Sequence, residues 1–237
     1  MTEVTDPTPE SATSHYQQRI FGQDTVTSTP RISVYVNNSK NISIATGDGW
    51  NASSTAIAAD FSRRTIIIDN VACVRAFMTG VTTNWNDTCT DIVSTCATRP
   101  LGLFGNTSNN NGTTFNQYAK AKVYGLRIWS AGTLIRDFQP RYVNGVAGFE
   151  DVVSGAFYTC DGLTASANAP TALSGRSKEG DAYIESDGTS FGCVVDTRYF
   201  ANPRMKVALD FQLVSLVSGC IVAGNYGSGN TFSCMLP

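Results

Sequence analysis

Two tryptophans lie in sequence surroundings that suit carbohydrate binding. Trp50 is in the segment GDGWN and Trp85 in the segment NWND, so each indole has Asn or Asp neighbours in a turn-like sequence. Sugar-binding sites combine an aromatic face, which stacks on C–H groups, with amides and carboxylates that hold the hydroxyl groups. Trp129 suits this role less well because it ends a predicted strand. We therefore predict Trp50 and Trp85 as ligand-binding residues, with packing beneath a turn as the alternative explanation for each ring.

Hydrolysis of a glycosidic bond needs two carboxylates, which in sandwich folds commonly stand on one face of a strand. The glutamates offer no such pair, since they occupy positions 3, 10, 150, 179 and 185. Asp87 with Asp91 is the remaining alternative, although aspartates in loops usually cap turns. The single histidine, His15, lies in a polar N-terminal segment, so the usual general base of Ser-His and Cys-His catalysis is missing elsewhere. We therefore predict no catalytic residues and a protein that is not an enzyme.

The composition predicts a polar but weakly charged surface. Charged residues make up 15% of the 237 residues, and the formal net charge is −2. Such a chain has no long-range attraction to nucleic acid or to an anionic membrane, so we exclude both as partners. No stretch is long and apolar enough for a membrane-spanning helix. The seven cysteines include no Cys-x-x-Cys pair, which argues against a zinc site.

Short strands separated by Gly, Asn and Ser turns dominate the sequence from residue 19 onward. The segment 32–36 is rich in β-branched and aromatic residues, and 122–129 alternates apolar with polar residues. Regular alternation in 122–129 places Tyr124 on the same face as Leu126 and Ile128. Helical periodicity is almost absent. The pattern therefore predicts an all-β sandwich or barrel.

Two parts of the chain carry motifs that occur together in one group of sandwich domains. The segment 121–159 contains a strand that ends in Trp129, followed by RDFQP, GFED and FYT. The segment 182–211 contains YIESDGT, an Asp-Thr pair and an alternating strand that ends in Asp-Phe. The first segment resembles the closing strands, and the second the opening strands, of the laminin-G-like, concanavalin A-like jelly-roll modules of gut-bacterial surface proteins and their phages. The resemblance implies an antiparallel jelly-roll sandwich.

The order of these motifs is the reverse of the order in that family. We divide the chain into a flexible N-terminal segment (1–15), a jelly-roll core without its opening strands (16–160), a linker (161–180) and the opening strands (181–237). The linker has no large apolar residue except two leucines. The last segment then completes either its own chain, as in a circular permutant, or a neighbouring copy by strand exchange. A slice of a tandem array is the third alternative.

The resemblance also implies a function and a setting. It implies a non-catalytic extracellular module that recognises a glycan or a host surface, located at a cell surface or on a virion. The alternative is a structural subunit of a surface filament or virion that self-associates by strand exchange. Modules of this kind often hold Ca²⁺ at one rim through carboxylate and carbonyl oxygens, so calcium is a candidate cofactor. No spacing identifies its ligands among the aspartates near predicted loops, which are Asp48, Asp60, Asp69, Asp87 and Asp91.

Overall fold

The computed structural model describes residues 18–22, 30–36, 41–48, 53–58, 61–72, 74–79, 82–88, 100–107, 115–116, 119–173, 181–188 and 194–215. The predicted flexible segment 1–15 lies outside these residues. These residues form β-strands and no helix, and every strand pairing among them is antiparallel. This confirms the predicted all-β class. No helix in this part of the chain is long and apolar enough to cross a membrane.

Eighteen strands are formed by the described residues. They are β1 (Gln18–Gly22), β2 (Pro30–Val36), β3 (Asn41–Asp48), β4 (Ser53–Ala58), β5 (Arg64–Asp69), β6 (Val74–Thr79), β7 (Thr82–Thr88), β8 (Pro100–Leu103), β9 (Asn106–Thr107), β10 (Phe115–Asn116), β11 (Ala121–Ser130), β12 (Thr133–Val143), β13 (Val146–Asp151), β14 (Ala156–Tyr158), β15 (Leu163–Ala165), β16 (Ile184–Ser186), β17 (Val195–Phe200) and β18 (Met205–Leu213).

These strands form two large sheets and one two-stranded ribbon. The six-stranded sheet has the order β17-β8-β1-β2-β3-β4. In the ten-stranded sheet, eight strands follow the order β14-β13-β12-β11-β18-β5-β6-β7, while β16 pairs with β11 and β15 pairs with β16. The ribbon consists of β9 and β10.

Buried side chains of both large sheets belong to one hydrophobic cluster. Phe21 comes from the six-stranded sheet, and Leu209 and Phe211 come from the ten-stranded sheet. In β18 the alternating sequence MKVALDFQL buries every second side chain, as expected for a strand with one face against the core. The ring of Phe104, which follows β8, lies 6.1 Å from the ring of Phe149 on β13. The core therefore joins the two sheets.

Strands from the C-terminal part of the chain are inserted among earlier strands. β18 lies between β11 and β5, β17 pairs with β8, and β16 pairs with β11. The pairing of β18 with β11 extends from Leu213 opposite Ala121 to Met205 opposite Ser130. In the structure, β16, β17 and β18 thus pair with earlier strands of the same chain.

The structure differs from the sequence-based expectation in the predicted linker, 161–180. β15 lies within this segment and pairs with β16, and the side chains of Leu163 and Ala165 pack against the core. The backbone N–H of Tyr142 also donates to the carbonyl oxygen of Pro170 at 2.9 Å. Few apolar residues are needed here because a neighbouring strand supplies the hydrogen-bond partners. Residues 174–180 lie outside the described part of the chain.

Candidate functional site

Of the two tryptophans predicted to bind a ligand, Trp85 is described by the structure and Trp50 lies outside the described residues. Trp85 is in the middle of β7, opposite Phe77 of β6. Its sequence suggested a turn, but Thr and Trp favour strands, and pairing with β6 satisfies the backbone of this segment. β7 is the last strand in the order of the ten-stranded sheet. Trp85 therefore belongs to a terminal strand of that order and not to a loop.

The ten-stranded sheet has an outer face, which points away from the hydrophobic core. Residues directly opposite each other on neighbouring strands share a face of the sheet. Since Met205, Val207 and Leu209 of β18 are buried, the residues between them point outward. On β18 and β11 the outer face consists of the pairs Lys206 with Trp129, Ala208 with Arg127, Asp210 with Gly125, and Gln212 with Lys122.

A β-bulge in β11 puts Tyr124 on the outer face. The register with β18 shifts between Val123 and Gly125, so one extra residue is accommodated at this point. Val123 and Leu126 are both fully buried, whereas Tyr124 is half-buried. The prediction that Tyr124 shares a face with Leu126 and Ile128 was therefore wrong. The bulge interrupts the alternation on which that prediction depended.

Arg63, which directly precedes β5, forms a bidentate ion pair with Asp210. Its Nε donates to Oδ1 and Oδ2 of Asp210 at 3.0 and 3.1 Å, and its Nη2 also donates to Oδ2. Its Nη1 donates to Oδ1 of Asp181 at 3.3 Å, although the Asp181 side chain is 88% exposed. The hydrogen bonds to Asp210 raise the pKa of Arg63, and partial burial opposes this effect. Arg63 therefore remains a cation at physiological pH.

Two tyrosines lie beside this ion pair. The Arg63 Cζ is 3.9 Å from the ring centroid of Tyr124, and the Lys122 Nζ is 4.4 Å from the ring centroid of Tyr183. The two rings meet edge to face with their centroids 5.5 Å apart. Cation–π contacts contribute about 0.5–1 kcal/mol each at exposed sites, so the cations help to fix both rings. Burial raises the pKa of Tyr124 despite the neighbouring cations, so its hydroxyl group is a hydrogen-bond donor at neutral pH.

Gln212 connects Tyr124 to an exposed phenylalanine. The Tyr124 hydroxyl donates to Oε1 of Gln212 at 2.9 Å, and the Gln212 Nε2 donates to the carbonyl oxygen of Phe61 at 2.9 Å. Phe61 has a φ of 56° and is 43% exposed. Holding a bulky residue in this region costs about 1–3 kcal/mol, and such strain is concentrated at functional sites. We define the Arg63 cluster as Phe61, Arg63, Lys122, Tyr124, Asp181, Tyr183, Asp210 and Gln212.

The Arg63 cluster brings together groups that can form hydrogen bonds and apolar contacts with a polar ligand. The carboxylates of Asp181 and Asp210 accept hydrogen bonds, the Gln212 amide both donates and accepts, and the aromatic side chains offer apolar contact. These residues could not be identified from the sequence, because they come from four separated segments, 61–63, 122–124, 181–183 and 210–212. The alternation of β18 could have placed Asp210 and Gln212 on one face. Only tertiary contacts bring the other segments to them.

The family-like motifs on β12 and β13 form a buried polar network. Arg141 is fully buried, and its Nε donates to Oε2 of Glu150 at 2.7 Å. The backbone N–H of Asp137 donates to Oδ1 of Asp151 at 2.9 Å, and the Ser154 hydroxyl donates to Oδ2 of Asp151 at 2.6 Å. These carboxylates are engaged in hydrogen bonds that connect neighbouring strands and the following turn. Their contacts are those of a structural network.

For the candidate rim calcium ion, the described residues contain no cluster of carboxylate side chains. No group of three or more His, Cys, Asp or Glu side chains in this part is arranged to hold a metal ion. Asp69 instead accepts hydrogen bonds from the backbone N–H groups of Val71 and Ala72 and pairs with Lys206. Asp60 and Asp91 lie outside the described residues.

Comparisons of the chain with protein-family models, curated proteins and solved structures found no match.

Proposed function

We propose that this protein is a non-catalytic extracellular module that binds carbohydrate at a cell, host or virion surface. The proposal includes a jelly-roll sandwich of the laminin-G-like, concanavalin A-like type. Its support is the antiparallel arrangement of two sheets that share one hydrophobic cluster. Further support comes from the segments 136–140 and 148–151, whose family-like motifs lie on the paired strands β12 and β13.

The observation that carries the binding proposal is the Arg63 cluster. Its aromatic rings, carboxylates and amide lie together on the outer face of a sheet, where a sugar can reach them. The side chains of Arg63 and Asp210 are 40% and 27% exposed. Hydrogen bonds between Arg63, Asp210 and their neighbours fix these groups before a ligand arrives, which reduces the entropic cost of binding. Preorganised polar groups beside aromatic rings are the combination that sugar recognition needs.

Trp50 and Trp85 remain proposed ligand-binding residues, separate from the Arg63 cluster. Trp85 lies on β7, four positions along the strand order from β11. Neighbouring strands are about 4.8 Å apart, so β7 and β11 are separated by roughly 19 Å across the sheet. Residue 85 is in register with Phe77, Ile66 and the buried Leu209, which places it on the face of the sheet opposite to the Arg63 cluster. Trp85 would therefore contact a ligand independently of that cluster.

A broad glycan array tests the proposed function. We expect the unmodified protein to bind at least one glycan, and Asp210→Asn and Gln212→Ala to weaken that binding. Asp210→Asn replaces a carboxylate oxygen acceptor with an amide donor, and Gln212→Ala removes an amide group. Trp50→Ala and Trp85→Ala report in the same assay whether the two predicted tryptophans contribute.

The matched control is Phe200→Ala. Phe200 is 44% exposed, as Phe61 is, but it belongs to β17 of the six-stranded sheet. This variant should bind as the unmodified protein does. An unmodified protein that stays silent across the whole array would overturn the proposal.

The position of β18 favours a structural subunit as the second candidate function. β18 is flanked by β11 and β5, and a second copy of the chain could supply an identical β18 with the same hydrogen bonds. Strand exchange of this kind would join copies into a filament. Light scattering at high protein concentration tests it: oligomers that grow with concentration are expected, and a monodisperse monomer would overturn it.

A further inference from the structure

The outer face extends from the Arg63 cluster along β11 to a third tryptophan. Trp129 lies opposite Lys206, on the same face as Gly125, which lies opposite Asp210. Trp129 is four positions further along β11 than Gly125, a distance of about 13 Å in a strand. An aromatic side chain and the Arg63 cluster therefore lie at the two ends of one stretch of the sheet.

Two residues on the outer face between these ends have very small side chains or none. Gly125 has no side chain, and Ala208 has only a methyl group. Arg127 lies opposite Ala208, but its Nε is 3.4 Å from Oδ1 of Asp137 on β12, so its side chain reaches toward that neighbouring strand. A ligand lying along the strands can use the space above the small residues. We define the strip as Tyr124, Gly125, Ala208 and Trp129.

Trp129 differs from the tyrosines of the Arg63 cluster because no cation among the described residues lies over its ring. Its side chain is half-buried. Within the described residues, no aromatic ring or cation stacks on the indole and no acceptor takes its Nε1 proton. Tyr124 and Tyr183, in contrast, each have a cation on the ring. A half-exposed indole with an unused N–H can stack on a sugar and donate a hydrogen bond to it.

Three ion pairs lie along the strip, and Lys122 and Asp181 of the Arg63 cluster add one charge of each sign, so the charges nearly balance. The pairs are Lys206 with Asp69, Arg127 with Asp137, and Arg63 with Asp210. A charged ligand would have to compete with one of these pairs or leave its own charge uncompensated, which costs free energy. An uncharged ligand can use the same groups as hydrogen-bond donors and acceptors. Charge complementarity therefore favours an uncharged chain.

We propose that the strip binds an extended, uncharged oligosaccharide, with one sugar at the Arg63 cluster and a more distant sugar stacked on Trp129. This inference rests on the proposed carbohydrate-binding function and specifies the class of ligand. A short saccharide contacts one end of the strip, whereas a longer one contacts both. Because the second contact is made by the same molecule, affinity rises with chain length. Trp129 thus determines the preference for long chains.

Isothermal titration with oligosaccharides of increasing length tests the proposal. The probes are cello-, manno- and chito-oligosaccharides from disaccharide to hexasaccharide, with heparin oligosaccharides of the same lengths as charged counterparts. We expect the hexasaccharide of at least one neutral series to bind about tenfold more tightly than its disaccharide, the gain that one aromatic contact provides. Trp129→Ala should remove this gain, so that the variant binds the disaccharide and the hexasaccharide with similar affinities. Trp129→Phe should restore part of it.

Gly125→Leu provides a second test that does not alter Trp129. A Cβ atom at Gly125 would meet only the carbonyl oxygen of Phe138, at 3.6 Å, which is an ordinary contact. The larger Leu side chain would extend from a position beside the Arg63 cluster, so it should weaken the binding of both the disaccharide and the hexasaccharide. Phe200→Ala is again the control and should preserve both affinities.

Several results would overturn the proposal that the strip binds an extended, uncharged oligosaccharide. They are equal affinities for the disaccharide and hexasaccharide in the unmodified protein, a length-dependent gain that survives in Trp129→Ala, or tighter binding of heparin oligosaccharides than of neutral ones. No binding of any neutral series would also overturn it. These results leave the proposed function standing if the glycan array is positive. A silent array would overturn both proposals.

Discussion

Arg63 and Asp210 are 147 residues apart in the chain, yet the Arg63 Nε donates to both carboxylate oxygens of Asp210 at 3.0 and 3.1 Å. Arg63 directly precedes β5, and Asp210 lies on β18 directly opposite Thr65 of β5. The ion pair therefore forms only when the C-terminal strand is in place beside β5. The same event assembles the Arg63 cluster and completes the ten-stranded sheet.

Asp210→Asn should lower the free energy of unfolding by no more than about 1 kcal/mol. Both partners are partly exposed, at 40% and 27% for their side chains, and solvent screens such pairs. Chemical denaturation at low and high salt measures the effect, and the difference between variant and parent should shrink as salt is added.

The matched control for this variant is Asp181→Asn. Asp181 contacts the same guanidinium group at 3.3 Å, but its side chain is 88% exposed. Its replacement should leave the unfolding midpoint unchanged. Equal losses in both variants would contradict the prediction that the bidentate pair is the stronger contact.

Tyr124 should make stability fall at alkaline pH. Burial raises the pKa of its hydroxyl group above the ordinary value of 10.0. The folded state then binds the proton more tightly than the unfolded state does. This contribution is fully present below pH 10.0 and is lost as the pH rises through the higher pKa of the folded protein. Denaturation across this range should show a smaller decline in Tyr124→Phe, and an identical decline in both proteins would contradict it.

The buried pair of Arg141 and Glu150 should be costly to break from either side. Their side chains are 0% and 5% exposed, and Nη2 of Arg141 is 2.6 Å from Oε2 of Glu150. Arg141→Met or Glu150→Leu alone leaves one buried charge uncompensated and should cost about 3–5 kcal/mol. The double variant should cost less than the sum of the two. A double-mutant cycle by urea denaturation measures the coupling, and additive losses would rule it out.

Gly148→Ala should destabilise the protein by about 1–3 kcal/mol. A Cβ atom at this position would lie 2.4 Å from the carbonyl oxygen of Tyr158 and 2.7 Å from the Phe157 ring, so the backbone of β14 must shift. Gly125→Ala is the control, since its Cβ meets nothing closer than 3.6 Å. Thermal unfolding compares the two variants. Similar melting temperatures would show that the backbone of β14 can shift without loss of stability.

Removal of every residue after Thr159 should abolish cooperative folding. The deletion takes away β18, whose buried side chains are Met205, Val207, Leu209, Phe211 and Leu213. Burial of a large apolar side chain contributes about 1.5–3 kcal/mol, so the loss is roughly as large as the stability of a typical domain. It also leaves β11 and β5 without a shared partner. Circular dichroism during heating would contradict this expectation if the shortened chain melted at the midpoint of the full chain.

The all-β class could be predicted from the sequence because strand alternation is a local property. The sequence MKVALDFQL places Val207 and Leu209 on one face and Asp210 on the other, whatever the strand pairs with. The division of the chain was harder to predict. β15 has a single leucine and forms because β16 lies beside it, which composition does not reveal.

The amino-acid sequence alone determined which residues alternate and therefore which strands have an apolar side. It did not determine which residues share the outer face that carries the Arg63 cluster. A bulge moved Tyr124 to the side opposite Leu126, and the docking of β18 brought Asp210 to Arg63. Both features depend on which strands become neighbours. Strand pairing is determined by backbone hydrogen bonds and core packing between residues that are far apart in the sequence. For this reason the Arg63 cluster was identified only in the tertiary structure.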